Sequence, residues 1–540
     1  MSGLLRLALR SHRGAIITMA IVSALGGASN AFGFVQIAGK THAERLAFAH
    51  SMELIGAQFS YFLPPPVQLD TMGGYLTWRN FSSISLVFAV WAILAATGLA
   101  RGDEERNLTE LWLATGVSRL RWLAVRTAGF ALAATIAIAA MVVLVGAAAA
   151  AAGDPLPIGG LVLEGLASLA LTLCAFGFGV FVAQFFVTRR AAGLAGRGVL
   201  LALFFLNSAR RSGVDIGALQ WLSPFFYFDR STPLLDGGQL DWSAIVVQLA
   251  AAAALITLAA LAFVRRDVGG TLITRRGRSS AASARPSRDP LLRMPVLAAV
   301  EQQRGWIIGW AIGLSILGYF LVSITRTLVD AMLGIPALAP YFAALGVAGP
   351  ADFVGIIWFA TALLLIAIFV VVQANGWAAD DAEGRLALWL SQPVSRTRIV
   401  IERLGSLLVA CGVVVAASTF AVYLSARASG LPMPAGRTAL AGFLMLPVAF
   451  ALGGVGEALV GWRPRLAIVL LGIVTGLSYF IQQFAPIFRW PDWTLRLSIF
   501  ALYGQPLSRD DWGGIAILVA MGAAGAAIAV VTMRRRDIGS

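Results

Sequence analysis

The sequence predicts an all-α polytopic membrane protein whose twelve transmembrane helices form two parallel six-helix repeats, and three observations carry that expectation. Apolar residues make up 59% of the 540 and charged residues only 13%, with a mean hydropathy of +0.81, whereas soluble domains average about 25% charged residues. Apolar runs recur near 14–35, 81–100, 123–150, 158–188, 198–209, 242–264, 305–326, 353–378, 404–428, 437–462, 466–486 and 513–533. Most exceed the ~20 residues that cross ~30 Å of hydrocarbon, and 198–209 is the short exception. Finally, one polar stretch occurs twice without a gap, DEERNLTELWLATGVSRLRWLAVR over 103–126 and DDAEGRLALWLSQPVSRTRIVIER over 380–403.

The chain opens with Arg6, Arg10 and Arg13 on one helical face and Leu5, Ala8 and Leu9 on the other, which predicts a short interfacial helix. The run that follows competes with a signal peptide, but at about 22 residues it is longer than the usual 7–15. Arg13-Gly14-Ala15-Ile16-Ile17 also has an internal counterpart in Arg304-Gly305-Trp306-Ile307-Ile308, so it is expected to remain as the first span. Next comes an outer segment with His42, Glu44, His50, Glu53 and Asp70. These could be drawn as a metal site, but an amphipathic helix turning Leu46, Ile55 and Phe59 to the membrane explains them more simply, with Pro64-Pro65-Pro66 stiffening the return. Gly39-Lys40-Thr41 resembles the end of a phosphate loop, but five residues separate it from Gly33 where that loop has four. No helix amino terminus is expected there to receive phosphate.

Both polar stretches lie between apolar runs and must sit on a membrane face, since each charge would cost roughly 2.5–3.5 kcal/mol at mid-bilayer. Asp103, Glu104 and Glu105, and likewise Asp380, Asp381 and Glu383, are expected to open a helix of more than 15 residues that Arg119 or Arg396 closes, as the helix dipole favours. Leu108, Leu111 and Trp112 then share one face. The ends repeat too: Arg265-Arg266-Asp267-Val268-Gly269 answers Arg535-Arg536-Asp537-Ile538-Gly539, and Asp241-Trp242 answers Asp511-Trp512. Six spans per half give both halves the same orientation. The expected halves are 1–269 and 301–540, joined by a solvated linker, 270–300, that carries Arg275, Arg276, Arg278, Arg285, Arg288 and Arg293. Most of the 41 basic residues fall in segments that are cytoplasmic if the amino terminus is, so both termini and both polar stretches are expected there.

Composition also excludes. Lys40 is the only lysine, so the net charge of +14 reflects an arginine-rich composition and cytoplasmic loops, and no nucleic-acid partner is expected. His12, His42 and His50 lie outside the apolar runs and no aspartate pair lies within them, which leaves intramembrane proteolysis without its groups. Cys174 and Cys411 give no disulfide framework. Glu164 and Glu457 do lie within spans and are candidate cavity or gating residues, and Phe176, Phe178 and Phe181 are candidate cavity-lining aromatics.

The repeated stretch resembles the coupling helix of bacterial ABC-type exporter permeases, in particular the fused twelve-span subfamily associated with polyketide antibiotic (tetronasin-like) and drug export. That pattern, roughly E-G-x-L-E-L-W/L-L-x-x-P-V-S-R, is kept by Glu383-Gly384, Leu386, Leu388-Trp389-Leu390 and Pro393-Val394-Ser395-Arg396. The first copy keeps Glu110 and Leu111-Trp112-Leu113 but has Asn107 for the glycine and Gly116 for the proline, and Ala387 replaces the inner acid of the second. The resemblance implies a bacterial plasma-membrane transport subunit, not an enzyme, that moves hydrophobic or amphipathic small molecules outward. It implies coupling helices at 103–119 and 380–396, two cytoplasmic ABC ATPase partners that hold the ATP and magnesium, and no cofactor on this chain. Trp112 and Trp389 are expected to anchor the docking. The alternatives left open are a secondary drug transporter of the major facilitator kind, an exporter of a lipid or cell-wall precursor, and an intramembrane enzyme acting on lipid.

Overall fold

Apolar periodicity without a β-alternation resolves into helices throughout the computed structural model, which describes residues 2–56, 63–272, 294–323, 325, 350–485, 490–504, 507 and 511–536. Among the described residues twelve helices are long and apolar enough to cross a membrane. The chain divides into two units, Met1–Ala281 and Ala282–Ser540, each with its own apolar core. The linker arginines from Arg275 to Arg293, Phe59, the side chain of Ile55 and the terminal 537–540 lie outside what the structure describes.

In the first unit α1 (Ser2–Arg10) precedes α2 (Arg13–Ala38). Ala8 of α1 is buried and Arg6 exposed, as an interfacial helix requires. After α3 (His42–Gly56) come α4 (Met72–Glu105), the short α5 (Leu108–Ala114), α6 (Arg119–Ala151), α7 (Ile158–Ala183), α8 (Arg189–Arg211), the short α9 (Pro224–Asp229) and α10 (Trp242–Arg265). The second unit runs α11 (Pro295–Gln302), α12 (Arg304–Ser323), α13 (Ala360–Ala382), the short α14 (Arg385–Leu390), α15 (Arg396–Ala428), α16 (Ala435–Trp462), α17 (Pro464–Phe484) and α18 (Trp512–Arg535).

Four expectations change. The second span reaches 34 residues instead of 81–100 and contains two π turns, Thr77–Phe81 and Gly98–Gly102. The fifth extends from the short 198–209 run to Arg189–Arg211, with arginines at both ends. Helix α11 occupies 295–300 of the expected linker and packs Val296 beside Gly405 of α15. A helix does follow Lys40-Thr41, but Glu44 fills its amino terminus: its carboxylate accepts from the Lys40 and Thr41 amides at 3.0 and 2.9 Å while Thr41 Oγ1 accepts from the Glu44 amide. These bonds, Thr41's first, hold the Glu44 carboxyl below its usual range.

Close helix packing depends on glycine in both units. A Cβ on Gly177 of α7 would stand 2.8 Å from the Ala252 carbonyl oxygen of α10, and one on Gly454 of α16 would stand 2.4 Å from that of Gly522 in α18. Aromatic stacking fills the first core, with Phe130 and Phe176 parallel at 4.0 Å and His12 edge-on to Phe130 at 5.6 Å. Among the described residues no group of three or more His, Cys, Asp and Glu side chains converges on a metal position.

Two predictions test this packing. Gly454→Leu should lower the melting temperature of the purified protein by several degrees, on the order of the 1–3 kcal/mol that overpacking costs, while Gly159→Ala, which meets nothing within 4 Å, should leave it unchanged. Burial, and then the charge of Arg126, lower His12 from 6.5 to about 4. Below pH 6.5 the unfolded chain takes up a proton that the folded one refuses, so stability is complete above pH 6.5 and declines toward pH 4. Melting curves across that window should flatten in His12→Phe.

Candidate functional site

The repeated polar stretch builds the same corner in each unit, and it starts with a break. Helix α4 runs on through Asp103-Glu104-Glu105 and stops where Asn107 takes a left-handed conformation, φ 57°; α13 stops at Gly384, φ 75°. Glycine is the ordinary solution for a positive φ and asparagine the most tolerant substitute, so the two copies differ in residue and agree in geometry. The expected helix of more than 15 residues is therefore corrected to seven residues in α5 and six in α14. The three acids end the preceding span instead of opening the short helix.

Acids at a helix carboxyl terminus oppose its dipole, and each is compensated from elsewhere. Asp103 accepts from Arg126 of α6 at 2.5 Å. Glu105 accepts from the Arg189 amide at 2.6 Å and so caps the amino terminus of α8. Glu104 is buried between two guanidiniums: Arg101 donates to it at 2.9 Å, Arg266 donates to both its oxygens, and the Gly269 amide reaches it at 3.2 Å. Arg101, Glu104 and Arg266 side chains are at most 3% exposed. Arg101 also donates to the Ala183 and Gln184 carbonyls, and Arg266 to Gln184 Oε1 at 2.8 Å. One cluster thus ties the ends of α4, α7 and α10.

The Val-Ser-Arg end of the stretch serves the next span. Ser118 and Ser395 cap α6 and α15 by accepting from the Arg121 and Arg398 amides. Arg119 and Arg396 stand first in those helices, the opposite end to the one the dipole argument assigned them. Arg119 Nη1 donates to the Phe263, Val264 and Arg266 carbonyls at 3.0, 3.2 and 2.6 Å. Arg396 Nη1 donates to those of Met533, Arg534 and Arg536. Each arginine thereby caps the last span of its own unit.

The second corner is the more open one. Asp381 accepts from Arg536 at 2.5 Å, with that guanidinium 29% exposed. Asp380 and Glu383 both pair with Arg385 on the surface. Arg403 stands 4.0 Å from Asp380 and 3.3 Å from Glu457, so Glu457 belongs to this ion-pair group. Arg101 and Gln184 have no counterparts here, since Ala378 and Gly461 stand 277 residues on. Repetition of Arg266 as Arg536 marked one missed partner, whereas no sequence signal marked Arg101 or Gln184.

The short helices present leucine outward. Leu111 is 64% exposed, Leu388 69% and Trp389 47%, and Glu110 is exposed beside them. Trp112 packs half-buried against the first core, while Thr109 and Leu386 point fully inward. Of the candidate cavity aromatics, Phe176 is stacked on Phe130, and Phe178 and Phe181 pack against the same core. Glu164 is buried with Oε2 unpartnered.

A family model described as multidrug efflux system permease Rv1217c, C-terminal domain, matches residues 1–264 and 292–534. The chain belongs to this family of multidrug efflux permeases. It is 26% identical over 549 aligned positions to the multidrug efflux system permease protein Rv1217c of Mycobacterium tuberculosis (strain ATCC 25618 / H37Rv), an alignment that covers 99% of this chain and 95% of that protein.

Removing Glu104 would leave two buried guanidiniums without their acid, a loss of about 3–5 kcal/mol for a broken buried pair. Glu104→Ala should therefore lower the melting temperature more than Asp381→Ala, whose partner is partly solvated. Thermal denaturation of the two purified variants ranks them.

Proposed function

We propose that this permease is the membrane subunit of an ATP-driven ABC exporter that moves hydrophobic or amphipathic small molecules, antibiotics and drugs of the polyketide (tetronasin-like) kind among them, out of a bacterial cell. In this reading the two units are parallel six-helix repeats with both termini cytoplasmic, α5 and α14 are the coupling elements, and separate ATPase subunits, two copies, hold ATP and magnesium. The chain itself carries out no hydrolysis. The observation that supports the reading most is the leucine pair: Leu111 and Leu388 are exposed on helices whose ends are tied to three spans or more, an arrangement that suits a partner's cleft. ATP-driven approach of the partners would push on α5 and α14, and the buried ion pairs would pass that push to the ends of α4, α7 and α10 and of α13, α16 and α18.

The docking anchors are Leu111, Leu388 and Trp389, with Trp112 acting inside its own unit. Leu388→Ala combined with Trp389→Ala should weaken ATPase association on the order of 30-fold, the equivalent of ~2 kcal/mol for buried apolar anchors, whereas Glu110→Ala should change it by less than about fivefold, as an exposed charge does. Co-purification with the ATPase and cargo-stimulated ATP hydrolysis in membranes are the readouts. Unchanged stoichiometry and stimulation in the double variant, with a normally melting protein, would remove the docking role.

A further inference from the structure

At the end of the first unit away from α5 lies a cavity of about 210 Å³, far more than the ~15 Å³ that admits one water. Its wall takes Thr77 and Trp78 from the π turn of α4, Glu164 from α7, Arg210 from α8, and Phe228 and Asp229 from α9. The charges on this wall are unequally matched. Asp229 accepts from Asn207 at 2.8 Å, from Arg210 at 3.0 Å, and from Arg211 at 2.8 and 2.5 Å. Arg210 also donates to Asn207 and lies over the Phe226 ring at 5.1 Å, so both guanidiniums are engaged on that side. Glu164, 1% exposed, has one carboxylate oxygen with no hydrogen-bond partner, and the Thr77 hydroxyl and the Trp78 indole nitrogen are likewise buried and unpartnered. A π turn sets those two residues, and Ser82 stabilises it by donating to the Thr77 carbonyl at 2.8 Å. Such turns are rare and concentrate at functional sites.

We propose that this cavity binds the ammonium group of a small organic cation. Glu164 supplies the counter-charge and the Trp78 and Phe228 rings supply faces for cation–π contact, while the Thr77 hydroxyl adds a hydrogen bond only where the ammonium carries an N–H. The ammonium can come from a dissolved amine or from an aminophospholipid headgroup. Binding is a property of this chain alone and does not depend on an ATPase, so its failure and the failure of the coupling reading are separable.

The test is equilibrium dialysis of radiolabelled benzyltrimethylammonium against the full chain in phosphatidylglycerol nanodiscs, with empty nanodiscs as the blank. Saturable binding is expected, weakened at least tenfold by Glu164→Gln and displaced by the unlabelled cation but not by neopentylbenzene, its neutral isostere. Adding phosphatidylethanolamine to the discs distinguishes the sources: competition identifies the headgroup as an occupant, and unchanged binding identifies a dissolved amine. Binding no greater than the blank, equal displacement by the neutral isostere, or full binding by a normally melting Glu164→Gln would overturn the proposal. The comparison of the two competitors on the unaltered chain decides the matter even where the variant does not fold.

Discussion

The last carbonyls of any helix have no partner within it and must find donors elsewhere. The organisation of each unit follows from how that requirement is met at the end of its last span. A single guanidinium nitrogen, from Arg119 in one unit and Arg396 in the other, takes three of those carbonyls. To reach them the arginine must begin the third span, so Val-Ser-Arg is at once the cap of one helix and the clasp of another. Arg119 also lies over the Phe263 ring at 5.8 Å, a contact with the same helix end.

The acids follow a related logic. They end α4 and α13, where the dipole disfavours them, and would be a poor choice for an isolated helix. Within a bundle they are well placed, because Glu105 meets the amino terminus of α8 and Glu104 meets two arginines. The cost at one helix end is offset at others. The units differ in how completely this is done: the first buries its cluster among three span ends, and the second leaves Arg385 and part of Arg536 in contact with solvent. The open corner also carries the more exposed apolar pair, Leu388 and Trp389.

Much of this was legible in the sequence for physical reasons. Twelve spans follow from hydropathy because backbone groups in a membrane leave few alternatives to helix. The first interfacial helix follows from Arg6 and Arg10 opposing Ala8 and Leu9. Helix ends were less legible. The helix dipole alone favours Asp103, Glu104 and Glu105 at a helix start, but the neighbours that reverse the sign are far along the chain: Arg266 is 162 residues from Glu104. Asn107 stands where the family pattern has glycine, yet it keeps the glycine's conformation. The polar neighbourhood of α11 masks its helical pattern, and the sequence sign of where the helix after Thr41 starts is the Thr41–Glu44 cap. Glu164 was visible as an acid in a span, but its lack of a partner emerges only when Asp229 is seen to hold both nearby arginines.

An arginine that reads main-chain oxygens makes no demand on the side chains that carry them. Phe263, Val264 and Arg266 in one unit stand where Met533, Arg534 and Arg536 stand in the other, and the contact survives two changes out of three. Selection acting on this clasp would therefore conserve the donor and leave most of the acceptor positions free to drift. A joint of this kind can therefore be made between helices of quite different apolar sequence.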